Sequence, residues 1–370
     1  MKNRIYFIIA LALLMKLSYF LLAYSFGYSD QLIDLSILNR NDSNWYQTIA
    51  TNGHETITPD QLGKCENGQI EQSYYAFFPL YPFTIRHLMN ATGGSFNSIA
   101  FLLSVLISLG LFVLFYLYAR HVLNSEKQAF LSTLLLMLFP FHYYFSTYYT
   151  ESLFLLLLIG AFYSIDREKI NWLLVCTSLL VITRPNGLFM LAPLGIYYLE
   201  KHYTKDLREL LTLRIKQLTD LWFFFLPVCI FITYCYYLFT MTGDFFAFKT
   251  AQEGWCRKTV LPWEPIVQSI GWRDYVQSAY LITFITLTIY FRERIRISYL
   301  VMLLIGIFLP LVANSITSPR FISVLFVYPF LISGLLLKQD RQVYTIGFIL
   351  LFALQLYTFT FWLNSDGFSY

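Results

Sequence analysis

The sequence predicts an all-α integral membrane fold of about eleven transmembrane helices. Three observations carry that prediction. Hydrophobic residues make up 57% of the 370 residues and charged residues only 13%, against roughly 25% charge in a soluble domain. Mean hydropathy is +0.55. The remaining charges fall in clumps between long apolar runs. A bilayer core takes about 20 apolar residues per helix. The runs at 5–26, 97–119, 128–146, 150–165, 170–184, 187–199, 221–241, 276–291, 297–314, 320–337 and 342–362 are the candidates. A net charge of +4 is too small and too dispersed to argue for a nucleic-acid partner, and none is expected.

The first run follows Met1-Lys2-Asn3-Arg4. It is about 22 residues long, beyond the 7–15 of a signal-peptide core, and no small-x-small cleavage site follows. It reads as an uncleaved first span. Lys16 inside it costs roughly 2.5–3.5 kcal/mol on insertion scales, so it is expected to face the bundle interior.

The 27–96 loop is too long for a simple connection. Its aromatic content argues against disorder. Residues 43–50 and 83–90 read as amphipathic helices at the membrane surface. The runs 170–184 and 187–199 are short and flank Thr183-Arg184-Pro185-Asn186-Gly187, which suggests a broken or re-entrant pair. Segment 200–219 alternates acids and bases with Leu at helical spacing, as in a cytoplasmic interfacial helix. A second long outer loop covers 242–275. There is no solenoid repeat, low-complexity tract or appended soluble domain. Residues 1–370 are therefore expected to form a single multi-pass membrane domain.

Charge sets the orientation. With the N-terminus cytoplasmic, sixteen Lys and Arg fall in inner segments and nine in the longer outer ones, as the positive-inside rule requires. Asp42, both long loops and Ser318-Pro319-Arg320 then share the outer face of the cell membrane. Cys65 and Cys256 also fall on that face, where a disulfide is open to them. Cys176, Cys229 and Cys235 lie in apolar runs and read as packing. No spacing of Cys or His suggests a metal site, and no cofactor is expected.

Asp42 reads two ways: as the N-cap of helix 43–50, or as a general base taking a proton from an attacking hydroxyl. Asp34 is a weaker acid candidate. Tyr75-Ala76-Phe77-Phe78-Pro79-Leu80-Tyr81-Pro82 is either an aromatic belt or one wall of a substrate cavity, with Tyr75 as its substrate-binding residue. Glu151, after Thr150, suits the positive end of a helix; acids at membrane boundaries are also costly and often functional. Arg184 and Asn186 lie at a helix break, where a guanidinium either holds a phosphate or snorkels to the interface. Asp244, Gln252, Trp255 and Arg257 form a polar–aromatic stretch suited to a sugar or headgroup, or to an ordered interfacial loop. Arg320 opens a helix with a cation, which is unfavourable for the helix dipole unless an anion such as a phosphate sits there.

In their order these blocks resemble the PIG-V type of mannosyltransferase, which adds the second mannose in GPI-anchor synthesis and has bacterial relatives. The matching pieces are Asp42-Ser43…Trp45-Tyr46, Ala76 to Pro82, Tyr149 to Ser152, Thr183 to Gly187, Gly243-Asp244…Gln252…Trp255, and Pro319-Arg320-Phe321. Asn41 replaces the usual aromatic, and Pro185 departs from the pattern. The short chain fits a prokaryotic member, so a GPI acceptor is not carried over.

The resemblance implies a GT-C-like glycosyltransferase in which an acid of the first outer loop, here Asp42, serves catalysis. The implied reaction is inverting transfer of a hexose, mannose by resemblance, from a polyprenyl-phosphate donor to a lipid or glycan acceptor. Arg320 meets the lipid phosphate, with Arg184 or Arg257 beside it. No Gly-rich phosphate loop suggests a nucleotide-sugar donor. Two rivals remain. A transporter or lipid flippase would show inverted repeats, and a non-catalytic scaffold subunit would tolerate loss of Asp42.

Overall fold

The computed structural model describes residues 1–66, 69–204, 206, 209, 218–316 and 318–364. It is helical apart from one short hairpin, Lys64–Glu66 paired antiparallel with Gln69–Glu71. Among the described residues four helices are long and apolar enough to cross a membrane: Lys2–Ser25, Phe96–Leu123, Thr219–Thr242 and Arg341–Leu363. Ile170–Val181, Ile297–Val312 and Val327–Leu336 are shorter apolar helices. The expected surface helices form as Asp42–Asn52 and Leu80–Thr92. The helix expected over 200–219 lies largely outside the described residues.

Each apolar run lies on a helix, but several helices are shorter than the run. The 128–146 run stops being helical at Leu138, because Pro140 cannot continue the hydrogen-bond ladder. Phe141 then turns left-handed, with φ of 69°. The 320–337 run divides into Ser318–Ser323 and Val327–Leu336.

The chain forms two compact units. The first comprises Met1–Asn44, Leu88–Ile159 and Ser323–Tyr370. Helices Lys2–Ser25, Phe96–Leu123, Glu126–Leu138, Val327–Leu336 and Arg341–Leu363 pack together there. Several buried polar side chains are hydrogen-bonded between them, as is usual for buried polar groups. Lys16 is 4% exposed; its ammonium donates to the Ser104 hydroxyl and the Ser146 carbonyl, both at 3.2 Å. The burial expected for Lys16 is thus met by two neutral acceptors. Tyr19 donates to the Gln355 amide oxygen at 3.0 Å. The Gln355 NH2 donates in turn to the carbonyls of Met137 and Phe139, at the end of helix Glu126–Leu138, where carbonyls lack intrahelical donors.

The second unit comprises Trp45–His87 and Gly160–Ile322. Helix Ile297–Val312 packs on Leu191–His202, and Phe225–Thr242 on Ile170–Val181. Gly187 makes the turn between Ile170–Val181 and Leu191–His202 possible. A Cβ there would lie 2.1 Å from the Leu180 carbonyl oxygen. Glu200, 3% exposed, accepts from the amide and hydroxyl of Ser298 at 3.1 and 2.6 Å. It thereby caps helix Ile297–Val312 from a different helix.

Candidate active site

Asp42 opens helix Asp42–Asn52. Asn41 before it takes φ of 55°, a left-handed conformation that Asn tolerates better than most residues. The Asp42 N–H is one of the orphan donors of a first helical turn, and it donates to the Tyr149 hydroxyl at 3.1 Å. Tyr148 donates to the Leu35 carbonyl at 2.8 Å, and the Trp362 indole to the Ile37 carbonyl at 3.0 Å. The chain leading into Asp42 is therefore hung on three buried aromatic side chains. The Asp42 side chain is half-buried and lies where the helix dipole favours an anion.

Asp34 has a different task. Partial burial pulls its carboxyl upward, but hydrogen bonds from Ser36 and Ser29 and the Arg40 charge outweigh that and leave it below the usual carboxylate range. It shapes the turn that precedes Asp42. Glu151 opens helix Glu151–Asp166 and is fully buried, as is Thr150 beside it.

In the second unit, residues 74–82 are a hub. Tyr75 is wholly buried, stacks on His54 at 4.8 Å, and donates its hydroxyl to the Glu55 carbonyl. His54 shares a hydrogen bond of 3.0 Å between its Nδ1 and the Tyr237 hydroxyl. Burial among these rings lowers its pKa to about 4. The Leu80 N–H donates to the Ile182 carbonyl at 3.1 Å, which ties this block to the turn carrying Arg184 and Asn186. Both of those side chains are half-buried.

The stretch after Thr242 splits into two roles. The Asp244 carboxylate accepts from the Phe246 N–H at 2.8 Å and from the Thr250 hydroxyl, so it shapes its own loop. Gln252 donates to the Ala76 carbonyl at 3.4 Å and accepts from the Arg257 guanidinium. Trp255 packs on Phe77 and Trp45, with centroids 5.7 and 6.0 Å apart. Gly254 lets this turn reach the hairpin: a Cβ there would lie 2.2 Å from the Glu71 carbonyl oxygen. The Cys65–Cys256 disulfide, open from sequence alone, is formed and spans 191 residues.

The second unit thus brings Gln252 and Trp255 onto residues 76–77, with Arg257 bonded to Gln252, and ties the Arg184 turn to Leu80. Arg320 lies in the short helix Ser318–Ser323 and is 7% exposed. Trp45 and Phe77 were not singled out by the sequence as binding residues. Their only signal is their place inside aromatic blocks, which the membrane interface also explains.

A family model described as Mannosyltransferase (PIG-V) matches residues 61–315. No curated protein matches the sequence. Among solved structures, the fold is similar to that of ArnT from Cupriavidus metallidurans, whose crystal structure is bound to undecaprenyl phosphate. The TM-score is 0.54 at 13% identity, and the match covers 92% of this chain. The chain spans 61% of the length of ArnT. At that identity the likeness concerns the fold, which is of the GT-C type.

Proposed function

The chain belongs to the PIG-V mannosyltransferase family, and from that premise we propose that it moves a hexose, mannose by family, from a polyprenyl-phosphate donor to an acceptor hydroxyl on the outer membrane face. It is a multi-pass membrane glycosyltransferase. The observation that carries the finer reading is the family match across 61–315, and the undecaprenyl phosphate bound by the similarly folded ArnT supports the donor class. Family membership also favours an enzyme over a flippase or a scaffold subunit.

In this reading Asp42 takes the proton of the acceptor hydroxyl as its oxygen attacks the anomeric carbon. The anomeric C–O bond to phosphate breaks, its electron pair leaves with the polyprenyl phosphate, and the configuration inverts in one displacement. One carboxylate suffices, because a retaining double displacement would call for a second as nucleophile. Arg320 takes the lipid phosphate, since a guanidinium pairs with phosphate in a bidentate manner and stabilises the charge that develops on it. Arg184 and Asn186, at a helix break beside residues 80–82, take the same anion or the sugar. Glu151 contributes to the acidic side of the substrate site. The N-terminus is cytoplasmic, which sets the chemistry on the periplasmic or extracellular side. The whole chain acts as one membrane domain.

The test is transfer from radiolabelled polyprenyl-phosphate-mannose by protein in lipid vesicles. Arg320→Ala is expected to raise donor KM while acceptor KM holds. Unchanged donor kinetics would remove Arg320 from the phosphate role.

A further inference from the structure

We propose that Trp45, Phe77 and Trp255 form a platform for a pyranose ring of the substrate. This deepens the glycosyltransfer reading and rests on it. The three rings are mutual neighbours: Trp45 stacks over Phe77 at 6.2 Å, and Trp255 meets both edge-on at 6.0 and 5.7 Å. Phe77, at 8% exposure, is the buried base. The two indoles above it stay half-buried, leaving part of their surface open.

The platform is held rigidly. The disulfide Cys65–Cys256 fixes the residue after Trp255 to the hairpin. Gly254 and Gly63 bring the turn and hairpin backbones so close that a Cβ would meet the Glu71 carbonyl oxygen at 2.2 Å and the Ala251 carbonyl oxygen at 3.0 Å. A surface ordered before binding loses little entropy on binding.

The polar neighbours select the ligand. The Gln252 amide and the Arg257 guanidinium bond to each other, three residues before and two after Trp255. A pyranose has an apolar face of C–H groups, which suits the negative face of an indole, and a fringe of hydroxyls, which suits an amide and a guanidinium. A prenyl chain satisfies the rings but leaves the guanidinium facing hydrocarbon, at a cost.

Saturation-transfer NMR on the protein in lipid nanodiscs, with methyl α-D-mannopyranoside as probe, tests this without turnover. Saturation is expected on the ring C–H protons, lost at least 5-fold in both Trp45→Ala and Trp255→Ala, and largely kept in Trp45→Phe and Trp255→Phe. Asp42→Asn should lose sugar transfer yet keep saturation, so failure of the base assignment and failure of the platform read differently. An intact Cys65–Cys256 bond in each variant, scored by thiol labelling, shows that the loop is still seated. Undiminished saturation in both alanine variants overturns the platform. So does a loss confined to a polyprenyl-phosphate probe, which would give the rings to the donor lipid.

Discussion

The phenolic oxygen of Tyr149 accepts the backbone N–H of Asp42 at 3.1 Å, so the acid's position depends on a side chain 107 residues away. Asp42→Asn keeps the shape and removes the carboxylate proposed as the base. Sugar transfer is expected to fall by about 10²–10⁴-fold, the range for loss of a general base, with thermal stability unchanged. Tyr149→Phe removes the hydroxyl that accepts the amide hydrogen. One hydrogen bond is worth about 0.5–1.5 kcal/mol net, so kcat should fall by about 3–10-fold with donor KM held. Wild-type activity in Asp42→Asn would end the base assignment, whatever Tyr149→Phe does.

The turn at Gly187 carries a steric prediction. The Cβ of alanine would lie 2.1 Å from the Leu180 carbonyl oxygen, and backbone cannot swing aside as a side chain can. Gly187→Ala is expected to be severely destabilising, beyond about 3 kcal/mol, seen as poor recovery from membranes and a low thermal midpoint in detergent. Gly347 has open space at the same position and lies inside helix Arg341–Leu363. Gly347→Ala should therefore be neutral or gain up to about 1 kcal/mol from helix propensity. Equal tolerance at both positions would show that the close approach does not hold.

How much of this was legible in the sequence follows from what each feature depends on. Helix positions follow from apolar runs, because the bilayer rewards length and hydrophobicity directly. The chain break after Leu138 was written in Pro140, although the run of hydrophobic letters continues past it. Trp255 and Gln252 were legible as a polar–aromatic stretch. Their landing on Ala76 and Phe77 was not, since nothing in either segment encodes the other's distance. Gly187 and Gly254 matter through what a missing Cβ would strike, and that requires the neighbouring backbone. Asp244 looked like a ligand-binding acid; both its oxygens engage its own loop, a use that Asp in turns commonly has.

The Cys65–Cys256 bond predicts a simple count. Of five cysteines, Cys176, Cys229 and Cys235 are free. Denatured, unreduced protein should take three maleimide–polymer adducts on a gel, and reduced protein five. Closing a loop across 191 residues restricts the unfolded chain, and such bonds typically contribute about 2–4 kcal/mol. A reductant should lower the thermal midpoint of wild type and leave a Cys65→Ala/Cys256→Ala variant unmoved. Five adducts without reductant would remove both the bond and its support for an oxidising compartment.

His54 gives a pH dependence with a definite sign. Its Nδ1 shares a hydrogen bond with Tyr237, and its ring lies against Tyr75 and Phe83. Burial there lowers its pKa from the ordinary 6.5 to about 4. The unfolded chain therefore binds a proton more readily than the folded one between those two values, and stability rises with pH across that window. The contribution is fully present above about pH 6.5 and drains away as pH falls toward 4. A shift of this size corresponds to something on the order of 3 kcal/mol. His54→Phe keeps a ring against Tyr75 and cannot titrate. Its thermal midpoint should vary less between pH 7 and pH 4.5 than that of wild type. Parallel pH profiles for the two proteins would show that the folded His54 titrates as it does in the unfolded chain, and the buried neutral imidazole would have to be abandoned.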